Sequence, residues 1–254
     1  MLRTVTATRY VTPLREGGSL PGLVEADDDG LYVAKFRAAG QGAKALIAEV
    51  LIGEIGRRLG LLVPEIVLVE IPDALGRTEP DPEINELVTR SAGINCGIDF
   101  LPGALDFGAA NAELITPDAA ADIVWFDAFC TNVDRTPRNP NMLLWHGRTW
   151  LIDHGAALYQ HHGSSDDLAR RAGDSFGLIR EHVLLGRASS IVTADARMAS
   201  RLTADVIDGV VDLVPDAWLD DFPGETRSEY NAYLTSRLAE PRAFVATAEE
   251  ARVA

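Results

Sequence analysis

Hydrophobic and polar residues alternate along the first third of the chain, a pattern typical of β-strands. Three strands are predicted at residues 4–12, 22–26 and 31–37, with a run of Asp residues ending at Gly30 between the last two. Asp and Gly supply the backbone conformations that turns require, so this run is interpreted as a solvated turn. A fourth strand, rich in Val and Ile, is predicted at residues 63–71.

The clearest helix is predicted at residues 42–60, where apolar residues recur every four positions. Gly60 ends it, as the preferences of helix C-termini predict. Residues 83–91 are a weaker helix candidate, so the N-terminal part is predicted to contain strands and one helix. Residues 94–101 have a mixed pattern and are predicted to cross into a second part of the chain.

After residue 102 the pattern becomes mainly helical. A helix is predicted from about residue 116 to about residue 132, then a proline-rich loop, and then a β-hairpin spanning residues 142–153. Further helices are predicted from about residue 165 onward, the last of them long and polar at residues 227–251. The sequence therefore predicts an α+β protein with a strand-rich region at residues 1–95 and a helical region at residues 96–254.

Composition narrows the classes of protein that fit. The chain has 254 residues, of which 47% are hydrophobic, enough for a sizeable core. No apolar run approaches the roughly 20 residues needed to span a bilayer, and residues 1–10 lack the apolar core of a signal peptide. Cys96 and Cys130 form no CxxC pair and are expected in the core. A cytoplasmic, soluble protein without a membrane partner is predicted.

The balance of charge excludes one class of partner and raises a question about lysine. A net charge of −15 repels nucleic acid phosphates, so no nucleic-acid partner is expected, and a bound nucleotide would need a local cation or metal. Only two of the 23 basic residues are lysines, Lys35 and Lys44. Lys35 lies within the predicted strand at residues 31–37, where it could lay its stem along apolar surface or contact a phosphate.

Three oxygen-bearing side chains flank the predicted hairpin. Asp134 and Asn139 lie in the loop before it, and Asp153 ends its second strand. Because a hairpin brings its two ends together, these side chains are expected near one mouth. Magnesium prefers hard oxygen ligands and takes few of them from the protein. These three side chains therefore suit a Mg²⁺ site with a neighbouring base. Asn141 also begins the hairpin and is an alternative to Asn139, and Asp134 could instead only cap a turn.

This segment resembles the catalytic segment of protein kinases, in which Asp-x-x-x-x-Asn precedes a hairpin ending in Asp-Phe-Gly. Here the corresponding residues are Asp134, Asn139 and the run Asp153-His154-Gly155. The Asp-Arg order is similar to that of the HipA-type and phosphoinositide-kinase-type branches. The motif Asn132-Val133-Asp134-Arg135 resembles that of HipA-type kinases most.

The resemblance covers roughly residues 10–160 and implies a two-lobed protein kinase-like fold, with a strand-rich N-lobe carrying one helix and a helical C-lobe. It implies that Lys35 contacts the phosphates of ATP and that Glu49, fourteen residues later, holds that lysine. Glu54 is the weaker candidate for the second role. The turn Gly17-Gly18-Ser19 takes the place of the loop that covers the phosphates, without the full G-x-G-x-x-G pattern.

The implied activity is ATP- and Mg²⁺-dependent transfer of the γ-phosphoryl group to a hydroxyl. The resemblance implies Asp134, Lys35 and Glu49 as the catalytic residues, with Asp134 as the base, and Asn139 and Asp153 as the Mg²⁺ ligands. The expected acceptor is Ser or Thr of a protein, either another protein or the chain itself. Three alternatives stay open: a nucleotide-binding pseudokinase or scaffold, since His154 replaces the usual Phe; nucleotidyl transfer; and phosphorylation of a small molecule of the aminoglycoside type.

Overall fold

The computed structural model of the chain describes residues 1–14, 20–76, 79–108, 111–162, 168, 171–221 and 226–254. The strands there are β1 (Thr4–Pro13), β2 (Gly22–Ala26), β3 (Leu31–Lys35), β4 (Ile66–Ile71), β5 (Gly93–Asp99), β6 (Leu105–Asp106), β7 (Met142–Trp145) and β8 (Arg148–Leu151). The α-helices are α1 (Ala43–Leu59), α2 (Pro82–Arg90), α3 (Pro117–Phe129), α4 (Ile191–Ala199), α5 (Ala204–Val211), α6 (Asp216–Leu219), α7 (Arg227–Leu238) and α8 (Ala243–Val253).

The first five strands close into a barrel in the order β1-β2-β3-β5-β4. Strands β1 and β4 are parallel, and the other neighbours are antiparallel. Alternate residues point inward and form a small apolar core that includes Val24, Ala34 and Val69. Gly97 of β5 faces this core so closely that a β-carbon there would lie 2.4 Å from Val69 Cγ2.

The N-terminal region differs from its prediction in two respects. Residues 94–101, expected to cross between two parts of the chain, instead form most of β5, which pairs with both β3 and β4. The predicted boundary after residue 95 thus falls inside a barrel strand. The region also contains two helices instead of one, because α2 buries Ile84 and Val88 against the barrel core.

Helix α1 joins the barrel to the helical region. Its buried residues surround the whole helix, and it contacts β4 and β5 on one side and α5 and α6 on the other. A β-carbon on Gly53 would lie 2.3 Å from Ile66 Cδ1, so the helix backbone lies directly against the barrel. Burying an Ile or Leu side chain such as Ile47 or Leu51 contributes about 1.5–3 kcal/mol. The helix that carries Glu49 is therefore fixed by packing.

The C-terminal region is helical and surrounds α3, which is buried on every face and contacts α4 and α8. Strands β6, β7 and β8 form a small separate sheet, in which β7 and β8 are the predicted hairpin. The single long helix predicted at residues 227–251 is wrong: α7 ends at Leu238 and α8 begins at Ala243. Pro241 lies between them and has no N–H to continue a helix. No helix in the described ranges is long and apolar enough to cross a membrane.

Candidate functional site

Lys35, Glu49 and Asp153 meet where the barrel, α1 and the hairpin converge. Lys35 Nζ lies 2.6 Å from Glu49 Oε2 and 2.5 Å from Asp153 Oδ1. The Lys35 side chain is 10% exposed and that of Glu49 only 1%, whereas that of Asp153 is 40% exposed. One ammonium group therefore bridges a fully buried carboxylate and one that faces the solvent.

The two inner charges of this cluster stabilise each other. Burial alone lowers the pKa of Lys35, but the carboxylates of Asp153 and Glu49 outweigh it and hold that pKa above its usual value. Burial likewise raises the pKa of Glu49, but the Lys35 ammonium and a hydrogen bond from His154 lower it to about 2. Both groups are therefore charged at neutral pH.

Glu49 also fixes the loop that follows β8. Its Oε2 accepts a hydrogen bond from the backbone N–H of His154 at 2.9 Å, and its Oε1 lies 3.4 Å from His154 Nδ1. The His154 ring is fully buried and packs edge-to-face on Phe126 of α3, with 6.0 Å between ring centroids. Glu54, the weaker candidate, instead pairs with Arg57 at 3.0 Å on the same helix. Of the two helix glutamates, Glu49 is thus the one that contacts Lys35.

The backbone is strained at three non-glycine residues around this site. Thr131, Asn141 and Asp153 have φ values of 51°, 48° and 54°, in the left-handed region. Such conformations cost about 1–3 kcal/mol each and persist only where the surroundings enforce them. Thr131 is β-branched, which makes its conformation the least favourable of the three. Tertiary contacts must therefore hold the loop before the hairpin and the loop after it.

Asp134 and both candidate asparagines form one cluster. Asn139 Nδ2 donates to Asp134 Oδ2 at 2.8 Å, and Asn141 Nδ2 donates to the same oxygen at 3.2 Å. Each amide uses its nitrogen in these bonds and so keeps its Oδ1 as an acceptor for another group. A carboxylate held by two amides in this way has a fixed direction.

The two asparagines differ in their relation to Asp153. Asn141 accepts a hydrogen bond from the N–H of Ile152 at 3.0 Å, so it lies opposite the residue that precedes Asp153. Asn139 is exposed and lies two residues further from the hairpin. The strand register therefore makes Asn141, the alternative candidate, the nearer neighbour of Asp153. Gly17, Gly18 and Ser19, the predicted phosphate-covering turn, lie outside the described residues.

A buried carboxylate that sequence reasoning did not select lies behind this cluster. Asp127 of α3 is fully buried and accepts hydrogen bonds from Arg135 Nε at 2.6 Å, His182 Nε2 at 2.8 Å and Asn132 Nδ2 at 3.0 Å. Burial raises the pKa of Asp127, but the Arg135 charge and the His182 bond hold it below its usual value. The sequence carried one signal for it: Asp127 lies among apolar residues near the end of the predicted helix, and a buried charge requires partners.

The site combines a fixed cation, oxygen donors and an oriented carboxylate. Lys35 can pair with an anionic ligand, Asp153 and the asparagine amides can accept a cation, and Asp134 can accept a proton. No group of three or more His, Cys, Asp or Glu residues suited to a metal occurs in the described ranges. A cation here would therefore need ligands from the bound anion as well, as Mg²⁺ takes from phosphates.

Comparison with known proteins supplies a family and a fold. The sequence model of the family described as HipA-like kinase matches residues 8–236. The Helicobacter pylori proinflammatory kinase CtkA has a similar structure, with a TM-score of 0.57 and 13% identity over 98% of both chains. The Golgi casein kinase with Mn/ADP bound gives a TM-score of 0.52 and 13% identity over 98% of this chain and 73% of that one. No curated protein sequence matches this chain significantly.

Proposed function

The chain belongs to the HipA-like kinase family, with a strand-rich N-terminal and a helical C-terminal region like those of kinase structures, and we propose that it transfers the γ-phosphoryl group of ATP to a hydroxyl with the help of Mg²⁺. The observation that carries the proposal is the Lys35–Glu49 pair, 2.6 Å long, joined to Asp153 by the same ammonium. A lysine held by a helix glutamate beside an Asp that can bind a metal is the combination that kinases use for phosphoryl transfer, so this arrangement supports the proposal.

Lys35 would pair with the phosphates of the nucleotide. The pKa of Lys35 is held above its usual value, so the side chain stays positively charged. It is also almost buried, so little solvent screens its charge from a ligand. Glu49 keeps that ammonium in place from a helix that packing fixes on both sides. We propose that the nucleotide binds between the barrel with α1 and α2 and the helical region, and that the two regions divide after Asp99, where β5 ends.

The donor set around Asp153 fits a magnesium ion. Asp153 offers a carboxylate, and Asn141 or Asn139 offers an amide oxygen, both of them hard ligands. A cation already accompanies Asp153 in the form of the Lys35 ammonium. The Mn and ADP bound to the Golgi casein kinase support a nucleotide with a divalent ion in this fold. When bound, the ion would neutralise charge on the phosphates.

Asp134 would orient the acceptor hydroxyl and take its proton. The bond from the acceptor oxygen to the γ-phosphorus forms as the bond to the β-phosphate oxygen breaks, and ADP leaves. The two amides on Asp134 Oδ2 fix the direction of the carboxylate and leave Oδ1 as a proton acceptor. Little covalent chemistry is required of the protein, since positioning and charge neutralisation supply most of the rate enhancement.

The proposed acceptor is Ser or Thr of a protein. Attraction to anionic lipids comes from basic clusters, and a chain with net charge −15 is poorly suited to lipid or nucleic acid acceptors. Membership of the HipA-like kinase family favours a protein acceptor over a sugar. A cationic small molecule would also suit an acidic protein, so it is the competing acceptor to be tested.

Two labelled nucleotides test the reaction. Purified protein is incubated with Mg²⁺ and ATP labelled at the γ-phosphate or, in parallel, at the α-phosphate, alone and with cell lysate. We expect transfer of the γ label only, and its loss in Asp134→Asn. Transfer of the α label would instead indicate nucleotidyl transfer. Nucleotide binding without transfer of either label would contradict the proposal and indicate a pseudokinase.

A further inference from the structure

Asp127 lies behind the site, and its contacts lead to both halves of it. One oxygen, Oδ1, accepts from Asn132, and the other, Oδ2, accepts from Arg135 and His182. All four side chains are buried. His182 Nδ1 accepts a hydrogen bond from the N–H of Leu184 at 3.0 Å, so Nε2 carries the proton that faces Asp127. His182 and Asn132 therefore complete the hydrogen bonding of the carboxylate, and the Arg135 guanidinium forms an ion pair with it.

The first branch runs to Asp134. Asn132, whose Nδ2 binds Asp127, accepts a hydrogen bond from the N–H of Asp134 on its Oδ1 at 3.1 Å. Its amide thus joins the buried carboxylate to the backbone of the residue that would take the proton. Thr131, directly before it, has the strained φ of 51°. The side chain of Asn132 is one of the contacts that can hold this loop in its unfavourable conformation.

The second branch runs to the other side of the site. Arg135 Nη1 donates to the backbone carbonyl of Asn141, and also to that of Pro140 at 3.4 Å. The Asn141 carbonyl accepts in addition from the N–H of Ile152, the residue before Asp153. Arg135 therefore fixes the point where the two strands of the hairpin meet. Both Asn141 and Asp153, with their left-handed backbones, adjoin that point.

We infer that Asp127 is a positioning residue that sets the proton-accepting side of the site through Asn132 and its metal-binding side through Arg135. The inference rests on the proposed phosphoryl transfer, which assigns proton acceptance to one side of the site and metal binding to the other. A buried ion pair adds little stability compared with apolar residues of the same size. The two hydrogen-bonded branches from Asp127 end at opposite sides of one site, which indicates that Asp127 positions the residues of that site.

Hydrogen exchange tests the inference without any ligand. In Asp127→Asn, which keeps the shape but removes the charge, we expect the amides of Asp134 and Ile152 to exchange about tenfold faster than in the wild type. Amides of the barrel strands should keep their wild-type rates. Unchanged exchange at Asp134 and Ile152, or an equal increase at every amide, would overturn the inference, because the second result describes general destabilisation.

Single-branch variants separate positioning from folding and also serve if Asp127→Asn does not fold. Asn132→Ala keeps the Asp127–Arg135 pair and should speed exchange at Asp134 but not at Ile152. Arg135→Lys keeps a charge but loses the forked contacts, so it should speed exchange at Ile152 and leave Asp134 nearer its wild-type rate. Variants that affect both amides equally would contradict two separate branches.

Kinetics then connect the branches to the reaction. Asn132→Ala should lower kcat about tenfold while the Kd for Mg-ADP stays within about twofold, because the proton-accepting side alone is loosened. Arg135→Lys should weaken Mg-ADP binding about tenfold. The opposite assignment, or equal effects on both quantities in both variants, would refute the inference. If the wild type binds Mg-ADP but transfers no phosphate, the proposed function fails, and the exchange and binding measurements still decide the role of Asp127.

Discussion

The ammonium nitrogen of Lys35 lies 2.5 Å from a carboxylate oxygen of Asp153, although 118 residues separate the two in the chain. Lys35 ends a barrel strand, and Asp153 follows the last strand of the hairpin. Their contact therefore joins the strand-rich region to the helical region. Because Asp153 is the more exposed partner, it is the group that an incoming cation would reach.

Asp153→Asn should remove Mg²⁺-dependent nucleotide binding while the protein stays folded. The substitution replaces a charged oxygen ligand with a neutral amide, and Asn tolerates the left-handed backbone of this position. We expect the affinity for Mg-ADP to fall at least about 100-fold. Calorimetric titration with Mg-ADP, and with ADP in the presence of a chelator, measures the metal-dependent part directly.

A matched control is available at Asp29. This residue also has a left-handed backbone, with φ of 61°, but lies in the turn between β2 and β3. Asp29→Asn makes the same chemical change in the same backbone conformation and should leave Mg-ADP affinity unchanged. Equal affinities in wild type, Asp29→Asn and Asp153→Asn would exclude Asp153 as a metal ligand.

Lys35→Met should reduce turnover about 100- to 1000-fold, because it removes the fixed positive charge that we propose contacts the phosphates. Lys35→Arg should also lose most activity, since a planar guanidinium does not fit where a compact ammonium contacts two carboxylates. Initial rates with γ-labelled ATP measure both effects. Full activity in Lys35→Arg would remove the phosphate-contact role.

Lys44, the only other lysine, provides the comparison for Lys35. Its Nζ donates to the carbonyl of His161 at 2.7 Å, so Lys44→Met loses a structural hydrogen bond worth about 1 kcal/mol. We expect a small fall in melting temperature and turnover within about threefold of the wild type. A loss in Lys44→Met as large as that in Lys35→Met would indicate that both act through folding.

Asn141→Ala should weaken metal binding more than Asn139→Ala. The Asn141 carbonyl binds the N–H of Ile152, the residue before Asp153, whereas Asn139 is exposed and lies two residues further from the hairpin. We expect about a tenfold rise in the Mg²⁺ concentration needed for half-maximal turnover in Asn141→Ala and less than about threefold in Asn139→Ala. The reverse order would restore Asn139, the position that the family spacing favours.

The stability contributed by Glu49 should depend on pH below about pH 4.5. Its pKa is lowered from 4.5 to about 2 in the folded protein, so the folded state binds the proton more weakly than the unfolded chain does. Its contribution is therefore complete above about pH 4.5 and is lost as pH falls toward about 2, with a magnitude of about 3 kcal/mol. The pKa of Lys35 is raised by Asp153 and Glu49 together, so its contribution to stability is lost only at alkaline pH and stays constant across this acidic range.

Urea unfolding of wild type and Glu49→Gln measures this contribution. The difference in free energy of unfolding should be constant from neutral pH to about pH 4.5 and should narrow below it. Glu113→Gln, at an exposed position, should match the wild type throughout. A difference that stays constant as the pH is lowered through this range would show that the Glu49 charge does not contribute in this way.

Most strands and helices were predictable from their periodic patterns, but strand β5 was not, because it is buried on both faces. Strand β5 lies between the barrel core and α1, so Asn95, Cys96, Gly97 and Ile98 are all buried and give no alternation. Helix α1 is also buried all round, but its apolar residues recur every four positions and Gly60 marks its end, so it was predicted. Pro241 marks the break between α7 and α8 in the sequence. The break was not predicted because the residues on both sides of it favour helix.

The site was predictable where the chain order of a known family supplied it. Lys35, Glu49 and Asp153 were selected from motif order, and the structure brings them into contact. Asp127 gave no local signal beyond its charge, because its partners come from residues 5, 8 and 55 positions away. The choice between two asparagines depends on strand register, which a motif spacing does not contain.

The acceptor should be a hydroxyl of a protein, and the chemistry of the labelled product can decide it. Phosphate on Ser or Thr survives acid, whereas phosphate on an imidazole or a carboxylate does not, so acid-stable label in protein identifies the hydroxyl class.

Wild type and Asp134→Asn are incubated with γ-labelled ATP and lysate, and the products are divided into protein and small molecules. We expect acid-stable label on a discrete protein or on the chain itself in the wild type only, because Asp134 is the group placed to take the hydroxyl proton. If the chain labels itself within one molecule, the rate of labelling per molecule should not change when the protein is diluted. Label confined to a cationic small molecule would overturn the protein acceptor and leave phosphoryl transfer intact, since the charge of −15 favours such a substrate as well.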